Sequence, residues 1–302
     1  MKRVKSMEAT ISNNSIALTV NSLGAEITSL KSVKTGLEYI WQGDPQYWTG
    51  HAPVLFPIVG SLRNKRAVLP DGKECHMERH GVARRQKFKL LRSGESTLTF
   101  RVGSSARTSQ MFPCPYELEI TYTIRNRSVA VKYTVHNPGY DPLPFCIGGH
   151  PAFKCPIGAE NDKFSEYVIE FDEAEMAFCM SPDQETGLLN PTDRRCILNN
   201  RRTLPLRHSL FEHDALVFDE LNSRGVVLYN PVQSYGVRLD FPDFPYLGIW
   251  SAGDAPFVAL EPWHGMATCL DEDDRFMSKR GVCVLKPGKK KSFKYVITMI
   301  EP

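Results

Sequence analysis

The chain lacks the short patterns that announce the commoner cofactor and nucleophile chemistries. Its 302 residues contain no Gly-x-Ser-x-Gly elbow, no phosphate-binding Gly-x-x-x-x-Gly-Lys-Ser/Thr loop and no Gly-x-Gly-x-x-Gly turn. Serine nucleophiles, nucleotide hydrolysis and dinucleotide cofactors are left without support, and no cofactor is expected. Eight cysteines are present, none in a Cys-x-x-Cys pair. Cys146, Cys179 and Cys283 stand singly among apolar residues, which suits reduced thiols in a cytoplasmic protein better than a disulfide framework. No apolar run approaches the ~20 residues of a membrane span. The basic start Met1-Lys2-Arg3-Val4-Lys5-Ser6 is not followed by the apolar segment of a secretory signal. A charge excess is missing too: 37 Lys+Arg against 34 Asp+Glu leave +3. The run Lys289-Lys290-Lys291 reads as a solvated turn, so neither nucleic acid nor membrane is an expected partner.

Helical periodicity is nearly absent; its best case, around 209–216, is short. What is present is a series of short alternating runs punctuated by turn residues. Leu118, Ile120, Tyr122 and Ile124 share one face of a run. Val129, Val131, Tyr133 and Val135 share one face of the next, beyond a turn at Arg125-Asn126-Arg127-Ser128. The runs 87–91 and 97–102 flank Arg92-Ser93-Gly94-Glu95 as a hairpin. Further strands are expected near 15–20, 25–33, 167–171, 216–218, 225–229, 237–241, 247–250, 257–260, 282–285 and 292–300. Proline and glycine are spread throughout, with no linker, compositional break or repeat. The reading is all-β: one domain over 1–302, core about 15–300, built as a large antiparallel β-sandwich rather than a propeller.

Polar chemistry interrupts this alternation at a few places. Phe56-Pro-Ile-Val-Gly60-Ser-Leu-Arg63 delivers an arginine after a proline and a glycine. Arg63 is either a solvated turn residue or a fork donor for hydroxyl oxygens. His80 lies in Glu78-Arg79-His80-Gly81. Cys75 and His76 stand nearby, but no second ligand cluster accompanies them and no metal is expected. In Cys146-Ile-Gly148-Gly149-His150-Pro151 a titratable ring sits between apolar flanks. The proline biases His150 towards extended backbone, and the ring is either a satisfied core group or a working acid/base. Glu261 follows the apolar run 257–260 and precedes Pro262 and Trp263. A carboxylate buried there is costly unless paired or used, and an indole beside it suits the C–H face of a sugar. Asp214, leading into Ala215-Leu-Val-Phe218, is either a turn residue or a ligand. The acidic run Asp271-Glu272-Asp273-Asp274 lacks the features of a calcium loop and reads as surface.

Three segments in order, His80-Gly-Val-Ala-Arg84, Gly148-Gly-His-Pro-Ala-Phe153 and Glu261-Pro-Trp-His-Gly265, resemble the aldose 1-epimerase (galactose mutarotase) superfamily, most closely its shorter aldose-epimerase-like branch. The resemblance runs from about residue 15 to 300 and implies a β-sandwich that interconverts the α and β anomers of a free sugar. It implies His150 as the acid on the ring oxygen and Glu261 as the base on the C1 hydroxyl. Glu261 would be raised by burial, and His150 kept protonated by an acidic neighbour. Arg63, His80 and Asp214 would hold hydroxyls, with Trp263 beside them. Gly149-His150-Pro151 stands where the better-characterised galactose mutarotases carry asparagine-histidine, and Thr268 where relatives often place an acid. The first departure bears on substrate identity, the second on an edge of the pocket and on whether activity is retained. The expected partner is a small-molecule sugar, met by a monomer or homodimer. The alternatives are a non-catalytic sugar binder of the same fold, a hexose-phosphate mutarotase using Arg84, and a glycoside hydrolase using Asp214 with Glu261.

Overall fold

The computed structural model describes residues 6–158 and 161–302, so the basic stretch at 1–5 lies outside the described residues. Two antiparallel sheets dominate. The larger has nine strands, in the spatial order Arg195–Pro205, Val168–Cys179, Gly225–Tyr229, Gly236–Asp240, Lys290–Ile300, Ser128–His136, Glu117–Arg125, Thr97–Gly103 and Lys89–Ser93. The second runs Leu216–Phe218, Tyr246–Trp250, Phe257–His264, Ile147–Gly149 and Val54–Leu55, with Ala152–Lys154 also pairing Phe257–His264. This is the antiparallel β architecture read from the sequence. Both expected hairpins form: Arg125 pairs Ser128 across the turn, and Lys89–Ser93 pairs Thr97–Gly103.

The differences have physical causes. The best helical candidate supplies only a 3₁₀ turn, His208–Phe211. The long strand Arg195–Pro205 was not expected, because it is an edge strand with few buried side chains and shows no alternation. A first strand, Glu8–Ser12, begins before the expected core. The acidic run is more than surface: the Glu272 side chain is only 5% exposed and accepts from the backbone N–H groups of Cys269 and Arg280. All eight cysteines are unpaired and six are buried. Among the described residues no helix is long and apolar enough to cross a membrane.

The inner faces of the two sheets meet across one large apolar cluster, for instance where Phe171 meets Phe218 with ring centroids 6.1 Å apart. Strand alternation then decides what lies on the other side of the six-stranded sheet. Along Phe257–His264, Val258 and Leu260 join the main core, while Phe257, Ala259 and Trp263 join two smaller clusters on the opposite face. Glu261 shares that opposite face by its period of two. Next to it, Ile147 points into the core and Cys146 away from it, so Gly148 and His150 fall on Glu261's side. Trp263 needs both neighbouring strands to be bare: a Cβ at Gly248 would sit 2.6 Å from its Cζ2, and one at Gly148 2.7 Å from its Cδ1.

Gly248→Ala therefore overpacks the indole. We expect it to lower the free energy of unfolding in urea by about 1–3 kcal/mol. An unchanged midpoint would mean that Trp263 is not confined by the strand beneath it.

Candidate functional site

The face that carries Glu261, Trp263 and His150 is roofed by loops, and a narrow cavity opens between them. Its walls bring together Gly60, Arg79, His80, His150, Glu261 and Trp263, with Leu189, Ala215, Val217 and Ala267 among the apolar contributors.

His150 and Glu261 face each other at its centre, Nε2 to Oε1 3.3 Å, with 7% and 2% of their surfaces exposed. They come from adjacent strand segments. The His150 backbone N–H donates to Pro53 O, and Leu260 N–H donates to Pro151 O. Burial acts on the two groups in opposite directions. It pushes the Glu261 carboxyl well above its ordinary value, helped by the charge of Asp214. It pulls the His150 imidazole down to about 3, helped by Arg84 and Arg79. The expectation of a histidine kept protonated by its acidic neighbour is corrected: desolvation of the imidazolium outweighs one carboxyl that is itself desolvated. Burial thus disfavours the charged form of each group, which favours a neutral carboxyl facing a neutral imidazole. Three buried polar atoms there lack a well-directed hydrogen bond, Glu261 Oε2, His150 Nδ1 and Trp263 Nε1, although the Trp263 indole is near enough to Glu261 to oppose the rise of its carboxyl.

His80 is fixed reciprocally. Its backbone N–H donates to Gly60 O, and Gly60 N–H donates to its Nδ1 at 3.2 Å. Burial, followed by the nearness of His150, holds its pKa well below 6.5. The neutral ring with Nδ1 accepting leaves Nε2–H as a donor. Its backbone is left-handed, φ +69°, as is that of Asp214, φ +70°. Such conformations cost a non-glycine residue free energy and recur where function needs them. Asp214 accepts from Arg79 at 3.3 and 3.4 Å, and Arg79 Nε donates to Ser61 Oγ.

The cavity thus gathers His80, His150, Glu261 and Trp263 of the sequence candidates, with Asp214 at its edge through Arg79. Arg63 is elsewhere. Its guanidinium donates to Asp274 and to the carbonyls of Cys269, Leu270 and Glu272, so it ties down the 269–274 loop. The arginine in the wall is Arg79, signalled only by its place before His80. Arg84 donates to Arg79 O from behind and does not line the cavity. Trp48, stacked on His150, carried no signal. The Cys75–His76–His80 trio diverges: Cys75 bonds Ala67 O and His76 meets Glu74.

A profile of the family described as Aldose 1-epimerase matches residues 7–298. The chain belongs to the aldose 1-epimerase family. It is 39% identical over 266 residues to the chromosomal and plasmid forms of protein LacX of Lactococcus lactis subsp. lactis, covering 86% of this chain and 89% of each relative. Among solved structures, a galactose mutarotase related enzyme from Lactobacillus acidophilus superposes with a TM-score of 0.90 at 30% identity, over 97% of both chains. A galactose mutarotase-like protein from Lactobacillus casei gives 0.89 at 30% identity, covering 97% of this chain and 100% of its own. In this family member, the motifs flanking His80, His150 and Glu261 are the ones that enter one cavity.

The upward shift of the Glu261 carboxyl has a consequence for stability. Because its folded pKa is raised above 4.5, the native state keeps a proton that the unfolded chain releases. Glu261 therefore costs native stability as pH rises from about 4.5 through that raised pKa. His150, depressed from 6.5 to about 3, costs stability in the other direction, as pH falls through that interval. We expect Glu261→Gln to melt higher than the wild type at about pH 9 and to lose most of that advantage at about pH 5, by differential scanning calorimetry. Parallel melting curves at both pH values would contradict a carboxyl held neutral by burial.

Proposed function

We propose that this protein is a mutarotase that interconverts the α and β anomers of a free, neutral aldose. The single observation that carries the reading is the His150–Glu261 pair, 3.3 Å apart in a shared cavity. A sugar brings hydroxyl dipoles to both groups. These partly restore the solvation lost on burial and favour the imidazolium–carboxylate form of the pair. His150 then protonates the ring oxygen while Glu261 takes the proton of the C1 hydroxyl. The C1–O5 bond breaks and a C1 carbonyl forms. After rotation about C1–C2, the C5 hydroxyl attacks the other face of C1, returning its proton to His150 as Glu261 returns one to the carbonyl oxygen. Protons and electrons balance, and no cofactor enters.

His80 Nε2–H, Arg79 and Asp214 are proposed to hold hydroxyls through the open-chain stage, which limits the loss of orientation. Trp263, flat against the strands beside Glu261, offers the apolar wall for the C–H face of the ring. A neutral sugar is favoured over a phosphorylated one by charge: the arginine in the wall, Arg79, is already paired with Asp214. A hydrolase would need its second carboxyl free opposite Glu261, whereas Asp214 is engaged by Arg79 and by the N–H of Ala215.

Polarimetry of freshly dissolved α-glucose and α-galactose tests the reading. The protein should accelerate mutarotation of at least one, and His150→Asn and Glu261→Gln should each lose about 10²–10⁴-fold in kcat while remaining folded. No acceleration across a panel of aldoses would overturn the enzyme reading. A near-wild-type rate in either variant would overturn the assignment of roles.

A further inference from the structure

A histidine that must present one nitrogen to a reacting proton is usually oriented through the other, by a carboxylate or a backbone carbonyl. His150 has no such partner from another residue: its Nδ1 is buried and reaches only His150's own backbone, short of a well-directed hydrogen bond, while Nε2 faces Glu261. Its ring is instead walled by aromatic groups. Trp48 lies over one face, centroids 4.8 Å apart and planes 24° apart. Trp250 meets it edge-on at 5.6 Å and His80 at 5.7 Å, and Trp250 also meets Trp48 edge-on at 5.5 Å.

The loop that carries Trp48 is tied to the strand that carries His150. The Trp48 carbonyl accepts from Trp41 Nε1 at 2.8 Å. The N–H groups of His51 and Ala52 both donate to Glu26 Oε1, and Ala152 N–H donates to His51 O. Gly50 makes room for the indole, since a Cβ there would sit 2.8 Å from Trp48 Cε2.

We infer that Trp48 is the positioning residue of the acid/base pair: stacked on His150, it fixes a ring plane that no neighbouring residue holds through Nδ1, and it keeps water from that face. This rests on the mutarotase reading for its catalytic consequence, but not for its effect on the ring. Trp48 does not line the cavity, so it orients His150 without touching the sugar. The titratable and charged groups around His150 are Glu261 on its own sheet, His80, Arg79 and Arg84 from the 79–84 segment, and His51 on the Trp48 loop, itself facing Glu26 at 3.9 Å. Replacing Trp48 leaves all of these in place.

The test follows the His150 imidazole by NMR in ring-labelled protein, with His150→Asn assigning the signal. In the wild type the ring should stay neutral from about pH 8 down to about pH 5. In Trp48→Leu it should begin to titrate within that range, as water reaches a ring whose ordinary value lies near 6.5. In Trp48→Phe, which keeps a ring on that face, the change should be smaller. Where mutarotation is measured, Trp48→Leu should lower kcat roughly 10–100-fold with KM altered less than about 3-fold, and Trp48→Phe should recover much of it. If Trp48→Leu does not fold, Gly50→Ala, which pushes the indole off the imidazole, takes its place with the same expectation. A wild-type titration curve in the folded variants overturns the inference whether or not the protein accelerates mutarotation. An unmoved kcat overturns its catalytic part. Absence of mutarotation in the wild type, with the shifted titration present, overturns the proposed function and leaves the positioning role standing.

Discussion

A carboxyl and an imidazole are buried against each other on the loop-covered side of a β-sheet, and much of the site's architecture follows from that. Removing two titratable groups from water disfavours whichever form of each is charged. Glu261 and His150 respond in opposite directions, so one proton satisfies both as a neutral pair, and the same proton count describes the ion pair that a polar ligand would favour. The protein keeps both forms within reach by burying the pair while leaving its remaining polar atoms without well-directed hydrogen bonds. A solvated pair would ionise outright. A pair sealed in by further hydrogen bonds would have nothing left to offer a sugar.

The scaffold achieves this with the simplest rule of β structure. Because side chains alternate, the residues that build the main core of the six-stranded sheet leave their neighbours pointing the other way. Val258 and Leu260 thereby place Ala259, Glu261 and Trp263 under the loops, and Ile147 places Gly148 and His150 beside them. Glycines on the flanking strands let the Trp263 indole lie flat, which sets the floor of the cavity. The loops bring what strands cannot: left-handed residues at His80 and Asp214, the Arg79 clamp between them, and the Trp48 cover.

Much of this was legible in the chain. The paired runs 116–124 and 129–135 carried their own alternation, and His150 and Glu261 drew notice because each breaks an apolar segment with a group that is costly to bury. Arg63 misled for the opposite reason. Its turn was visible, but Asp274 and the carbonyls that occupy it are some two hundred residues away in sequence. Arg79 passed unnoticed beside His80 because nothing local says which of two adjacent polar residues faces the cavity. Trp48 was illegible, since stacking across a hundred residues leaves no local trace. The protonation of His150 was misjudged because an acidic neighbour is visible in a family pattern, whereas the burial that outweighs it appears only once the loops are closed over the sheet.

The central claim, that one proton is shared by this buried pair and rests on Glu261 until a sugar enters, is open to a direct measurement. The infrared difference spectrum between wild type and Glu261→Gln at neutral pH should contain the carbonyl stretch of a protonated carboxyl group in the substrate-free protein, and that band should weaken when a bound aldose draws the proton towards His150. A substrate-free spectrum that shows only an ionised carboxylate at Glu261 would contradict the account.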